Sequence, residues 1–298
     1  YYLLTGEERH LRANYTKQQL LRRAFGQVPG GMFGADENAR MGYFDPRQGT
    51  DTCGFVEQML SDEILMAQTG DVLWADNLED VAFNSYPAAL MPDFRALRYI
   101  TSPNMVQSDS ENHRPGIDNA GPLLSMNPFS SRCCQHNHAM GWPYYSQNLV
   151  LASADGGAAL MTYADMRAEL KVADGQTLVI DEQTHYPFSE DIELNLSLRK
   201  PATFPIYLRI PHWAKHAAVT VNGKTTNLRR AGRLLCIRGE WKQGDRIQLH
   251  LPMTLSLRTW QVNQRSVSVD LGPLTMSLLI QERYVRRDSR STAIGDSK

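Results

Sequence analysis

The feature that most constrains this chain is a change of texture at Ala154-Asp155-Gly156-Gly157. Before it, apolar residues recur at helical spacing. After it, they alternate or form short β-branched runs broken by turns. A period near 3.6 and a period of 2 cannot share one element, because side chains leave a helix and a strand in different directions. The chain is therefore read as α + β and multidomain, with helices first and an antiparallel β-sandwich second. Its 298 residues accommodate one large domain or two ordinary ones, and the division is placed between 1–153 and 154–298.

In the first part, Glu7 to Phe25 is amphipathic and helix-prone, and Gly26 to Gly49 reads as loop. Thr50 or Asp51 can cap a helix over 52–69, since either side-chain oxygen accepts from a free N–H. Val56, Met59, Leu60 and Ile64 keep helical spacing there, and Gly70 ends it. A second helix is expected from about Val72 to Leu90. Residues 91–130 read as irregular, and so long a loop is uncommon unless it builds a site. His136 to Ser153 reads as helix interrupted near Gly141 and Pro143. In the second part, strands are expected at 159–163, 178–181, 192–198, 206–210, 218–221, 234–237, 247–251 and 266–271. Asn222-Gly223 is the strongest hairpin signal, because both turn positions need a positive φ. The polar tail from Arg286 is expected to fray.

Hydrophobic residues make up 42% of the chain and charged ones 21%, an ordinary globular balance. A net charge of −1 points to neither nucleic acid nor an anionic membrane as partner. No apolar run approaches the roughly 20 residues that span a bilayer. Tyr1-Tyr2-Leu3-Leu4-Thr5-Gly6 reads as the end of a helix. The chain is therefore expected to lack an N-terminal portion, and either that portion or a second copy in a homodimer is expected beside it. The compartment stays open.

Chemistry concentrates in Arg132-Cys133-Cys134-Gln135-His136-Asn137-His138. Two of the four cysteines are neighbours here, with two histidines behind them. They can be small buried hydrophobes beside hydrogen-bonded histidines, a strained vicinal disulfide, or part of a metal–thiolate site. Thr50-Asp51-Thr52-Cys53 supplies what a metal site would need. With Cys133 and Cys134 it makes one carboxylate and three thiols, a set that suits tetrahedral zinc. Asp51 as a plain cap and Cys53 as a plain core residue remain the alternative, and a histidine can replace Asp51. Glu37, in Gly34-Ala35-Asp36-Glu37-Asn38, is a candidate general acid on a loop, or a solvated charge. Glu57, one turn after Cys53, can support the metal or act as acid.

These motifs carry a resemblance. Asp51-Thr52-Cys53, Gln68-Thr69-Gly70-Asp71, Leu78-Glu79-Asp80-Val81-Ala82-Phe83-Asn84, Tyr99 and Cys133-Cys134 resemble the β-L-arabinofuranosidases of glycoside hydrolase family 127. Leu208-Arg209-Ile210-Pro211-His212-Trp213-Ala214, Val219-Thr220-Val221-Asn222-Gly223, Trp241-Lys242-Gln243-Gly244-Asp245-Arg246-Ile247 and Leu271-Gly272-Pro273-Leu274 extend it through the second half. The resemblance implies part of an (α/α)6 barrel followed by β-sandwich. It implies a carbohydrate substrate and a Zn2+ cofactor held by Asp51, Cys53, Cys133 and Cys134. It makes Cys133 the nucleophile and Glu37 the acid/base. Glu79 and Tyr99 fall on sugar-lining positions, and His136 and His138 are expected to bond sugar or loop. Family members carry Glu where this chain has the shorter Asp51. Gln135-His136-Asn137-His138 replaces a proline-containing continuation, which implies a different sugar preference.

Overall fold

The computed structural model describes residues 1–94, 97–105, 124–125, 132–226, 233–281 and 283. Much of the irregular stretch expected over 91–130, and the tail from Arg286, lie outside them. The helical layer contains α1 (Tyr2–Thr5), α2 (Glu8–Phe25), α3 (Thr52–Thr69), α4 (Val72–Asp80), α5 (Tyr86–Ala88) and α6 (Arg132–Gln147). Asp51 caps α3, accepting from the N–H groups of Cys53 and Gly54. Gly70 closes it in the left-handed region at φ 64, where only a residue without Cβ sits without strain. Among the described residues, no helix is long and apolar enough to cross a membrane.

Two helices differ from expectation. The one expected over 72–90 is α4, then a π-helical turn at Val81–Ser85, then α5. The wide turn adds a residue to the ring, and its polar side chains find distant partners. Ser85 Oγ donates to the Gly30 carbonyl at 2.7 Å. Asn84 Nδ2 donates to the Pro273 carbonyl at 2.9 Å. The other, α6, begins at Arg132, earlier than His136, and runs unbroken through Gly141 and Pro143. Pro143 removes one main-chain donor, and the packing of α6 on α3 outweighs that loss. Gly141 does not break the helix. A Cβ there would lie 2.3 Å from the Tyr86 ring, so glycine is what lets α6 cross that ring.

Short pairings stitch the loops: β1 (Thr50–Asp51) with β3 (Ile100–Thr101), and β2 (Leu97–Arg98) with β4 (Leu124–Ser125). The second half begins with β5 (Val150–Ala152), β6 (Ala158–Leu160), β7 (Met166–Val172), β8 (Gln176–Thr184), β9 (Asp191–Leu198) and β10 (Ala202–Ile210). It continues with β11 (Ala218–Val221), β12 (Lys224–Thr226), β13 (Arg233–Trp241) and β14 (Arg246–His250). One sheet has the order β13-β10-β6-β5 and the other β12-β11-β14-β9-β8-β7. Ile192, Leu194, Leu196 and Leu198 of β9 meet Phe204, Ile206, Leu208 and Ile210 of β10 in one buried core, as period-2 strands require. Asn222 and Gly223 take φ values of 51 and 77 and close the β11–β12 hairpin.

The sandwich does not account for all strands after residue 154. A third sheet, β15 (Leu255–Trp260), β16 (Ser266–Leu271) and β17 (Leu274–Met276), packs by its polar face on the helical layer. Arg258 pairs there with Asp80 of α4 and with Asp270 of β16. The chain is thus a mixed helix-and-sheet protein in which strands predominate among the described residues.

Strand β10 is buried along one face, and on the other at Pro205 and Arg209, and it joins the two halves. Its even residues fill the sandwich core. Arg209 points the other way and is fully buried. Its guanidinium pairs with Asp76 and Glu79 of α4 and lies 5.7 Å from the Tyr163 ring centre. Burial works against the Arg209 charge, but the two carboxylates outweigh it and hold the group firmly protonated.

Candidate active site

Three sulfurs meet where two helices begin. Cys53 lies in the first turn of α3, and Cys133 and Cys134 lie in the first turn of α6. Asp51, by capping α3, fixes where that helix starts and so where Cys53 points. Cys53 Sγ lies 3.5 Å from Cys134 Sγ, Cys134 Sγ lies 3.9 Å from Cys133 Sγ, and all three fall within 4.8 Å of one another. Cys134 is buried, Cys53 half-buried and Cys133 exposed.

The donor set fits zinc. Four ligands at 2.3 Å in a tetrahedron stand ~3.8 Å apart, and the two measured sulfur separations straddle that value. The positive ends of α3 and α6 favour thiolate over thiol. Without a cation, three thiolates this close would repel, and the thiols divide. The hydrogen bond between the Cys53 and Cys134 sulfurs pushes the Cys53 thiol down. That same bond, with burial, pushes Cys134 up, and burial pushes Cys133 up. A bound cation removes the conflict, because coordination deprotonates a thiol outright.

Asp51 is not gathered as closely as the thiols. Both of its cap bonds fall on Oδ1, at 2.7 Å from Cys53 N and 3.3 Å from Gly54 N. Burial raises its carboxyl, partly offset by these bonds. Among the described residues, the group close enough to share one metal ion consists of the three sulfurs alone.

Glu37 reaches this region through the loop before α3. Asp51 N donates to the Ala35 carbonyl at 3.0 Å, which sets residues 35–37 beside the cap. Tyr99 follows from the other side, since Thr52 N donates to the Tyr99 carbonyl at 2.9 Å. Tyr99 Oη then donates to Glu37 Oε1 at 2.5 Å. Burial and then Glu37 push the Tyr99 hydroxyl far above the ordinary phenol range, with Asp51 and Cys134 adding to it. Tyr99 is thus tied to Glu37 by its hydroxyl and to the start of α3 by its carbonyl. Glu37 itself has a φ of 75, uncommon for a residue with a side chain. Such outliers cluster at functional sites.

Other expected site residues are placed differently. Glu79 is buried in the joint between α4 and β10. Its Oε1 pairs with Arg209 and its Oε2 accepts from Tyr186 Oη at 2.8 Å. Both partners belong to that joint and neither to the thiol site. His138 is buried and stacks on Tyr86 at 4.3 Å between ring centres. Its carbonyl accepts from Tyr86 Oη at 2.6 Å, and burial pushes the imidazole down. His136 and Glu57 are exposed. Sequence reasoning missed Asn137, whose side chain hydrogen-bonds Cys53. Its spacing of four from Cys133, on one helix face, was the available signal.

A family model described as β-L-arabinofuranosidase, GH127 catalytic domain, matches residues 1–147, and one for the GH127 middle domain matches residues 159–253. No curated protein matches the chain. Among solved structures, a GH127 β-L-arabinofuranosidase from Geobacillus stearothermophilus T6 is 21% identical, with a TM-score of 0.76 over 92% of this chain and 44% of its own. A GH127 β-arabinofuranosidase is 21% identical, with a TM-score of 0.73 over 92% of this chain and 44% of its own. A glycoside hydrolase is 23% identical, with a TM-score of 0.64 over 76% of this chain and 37% of its own. These likenesses are likenesses of fold, and the chain spans less than half the length of each of these structures. Models of two successive domains of one family together cover most of the sequence, and on that ground the chain belongs to the GH127 β-L-arabinofuranosidase family.

Proposed function

We propose that the chain carries the thiol site of a retaining exo-glycosidase acting on β-L-arabinofuranosides or a related plant cell-wall sugar. The observation that supports this best is the meeting of three sulfurs at two helix starts, with a Glu37–Tyr99 pair nearby. The helices α2, α3, α4 and α6 would be part of an (α/α)6 barrel ending near residue 153, with β-sandwich structure after it.

Cys53, Cys133 and Cys134 would hold Zn2+, with Asp51 as fourth ligand through the oxygen the cap leaves over. Bound zinc supplies one thing here: it keeps the sulfurs deprotonated at neutral pH. The chemistry then belongs to the side chains. Cys133 is the exposed sulfur, so it attacks the anomeric carbon while the bond to the leaving oxygen breaks. Glu37 gives that oxygen its proton. Water then attacks the same carbon, Glu37 takes a proton from it, and Cys133 leaves as thiolate. Two inversions return the original configuration, as in glycosidases whose nucleophile is a carboxylate. Tyr99 orients Glu37, Asn137 orients Cys53, and His136 faces the sugar. A closed structural metal site in a non-catalytic, carbohydrate-binding relative is the alternative. The exposure of Cys133 speaks against it, since a sulfur left uncovered is within reach of a sugar.

The test is a furanose-configured electrophile followed by peptide mapping, with elemental analysis of protein never exposed to chelator. The expected result is one label per chain on Cys133 and about one zinc. Glu37→Gln should lose most activity on alkyl glycosides and much less on substrates whose leaving group needs no proton. A label on Cys134, or turnover surviving in Cys133→Ser, would defeat the assignment of the nucleophile.

A further inference from the structure

A cleft of about 730 Å3 opens between α4, the turn after β10 and the third sheet. That size falls within the roughly 300–1,000 Å3 of small-molecule sites. Neither the three clustered cysteines nor Glu37 lines it. Its walls carry Asp76 and Asp80 from α4, Trp213 and Lys215 from the turn, and Arg258 and Asp270 from the sheet.

The chemistry of these walls narrows the ligand. Of the four aspartates that line it, three already have cations: Asp76 has Arg209 and His212, and Asp80 and Asp270 share Arg258, while the fourth, Asp71, accepts from the Tyr15 hydroxyl and from Leu73 N. A cationic ligand would have to compete with those guanidinium groups. An anionic ligand would face five carboxylates, Asp71, Asp76, Glu79, Asp80 and Asp270. A neutral ligand avoids both costs. Each paired carboxylate keeps spare lone pairs as acceptor, and exposed Lys215 offers an ammonium donor. Half-buried Trp213 adds a flat apolar surface. Acceptors, a donor and an aromatic face within one cleft match a polyhydroxylated ring, whose hydroxyls point outward and whose C–H face is apolar.

We propose that this cleft is a second carbohydrate site, separate from the thiols, which holds one sugar unit of a glycan. The inference rests on the reading of the chain as a carbohydrate-active protein. It would keep the glycan on the protein between encounters with the thiol site, raising its effective concentration there.

Hydrogen–deuterium exchange of the 298-residue chain, with L-arabinose and with an arabinose disaccharide at millimolar concentration, tests it. Exchange should slow at 211–215 and 254–258. Trp213→Ala should raise the saccharide concentration needed by about tenfold, which is ~1.4 kcal/mol. Ser256→Trp changes an exposed residue of the cleft, so folding is not at stake, and it should abolish that protection while sparing any at 133–137. Protection confined to 35–37 and 133–137 would overturn the second site and leave the hydrolase standing. Protection confined to the cleft would sustain the second site and count against the hydrolase. No protection with either saccharide, or cleft protection undiminished in Ser256→Trp, would overturn the proposal.

Discussion

Replacing Glu79 by Gln separates two accounts of this residue, one as a sugar-lining group and one as half of a buried ion pair. Burial pushes its carboxyl up and Arg209 draws it back. The adjacent charge decides the balance. Oε1 pairs with the Arg209 guanidinium, which is held firmly protonated, and Oε2 accepts from the Tyr186 hydroxyl. The group is ionised, and Glu79→Gln removes a charge from beside a fully buried guanidinium. Breaking a buried pair costs ~3–5 kcal/mol. Asp76 still faces Arg209, which puts this case near ~3 kcal/mol. For a chain above 150 residues, that lowers Tm by about 6–12 °C. Calorimetry at neutral pH is the assay, with Arg209→Met and the double variant alongside. The double variant should lose less than the two singles together, by at least ~1 kcal/mol, because it leaves no orphaned charge at 79 or 209. A Tm within about 1 °C of the parent, with KM raised, would refute the ion-pair account and return Glu79 to the sugar.

Two further perturbations follow from the packing. Gly141→Ala puts a Cβ against the Tyr86 ring beneath α6, so we expect a loss of ~1–3 kcal/mol, read from the urea midpoint at unchanged slope. Asp62 is buried, and burial raises its carboxyl to about 7 against hydrogen bonds from Gln58 and Asn77. Between pH ~4 and ~7 the folded state then holds a proton that the unfolded state has released, so stability falls as pH rises through that window. Compared with Asp62→Asn, the parent should lose up to about 4 kcal/mol across it. Parallel denaturation curves for the two proteins at every pH would contradict the assignment.

Local signals were the legible part. Asp51 reads as a cap because it precedes a helical run, Gly70 reads as a stop, and Asn222-Gly223 reads as a hairpin. Each depends on a few neighbouring residues. The cysteines were legible as a candidate cluster, since two are neighbours in sequence and the third follows a cap. The start of α6 was not. Pattern reading put it at His136, but the contact of Cys134 with Cys53 and the crossing over Tyr86 favour a helix that already holds both cysteines. Arg209 is harder still. Nothing near it in sequence shows that two carboxylates on α4 wait for it. The partners of Glu79, Arg209 and Tyr186, likewise lie far along the chain and are not legible beside it.

The third sheet shows a different limit. Leu255, Leu257, Val267 and Val269 alternate with Ser256, Arg258, Ser268 and Asp270, which is the period of a strand. Alternation identifies the element but not which face turns inward. Here the polar face does: Trp260, Ser268 and Asp270 are buried, while Leu257 is 73% exposed. Charge pairing reverses the usual choice. Arg258 pairs with Asp80 and Asp270 and stacks over Trp260 at 4.4 Å. An apolar face in that position would have left Asp80 buried against the sheet without a cation, at a cost of several kcal/mol. The exposed leucines and valines cost less than that. Polarity along a strand therefore assigns the inner face only when the surface it meets is known, and that surface is a helix more than 170 residues earlier in the chain.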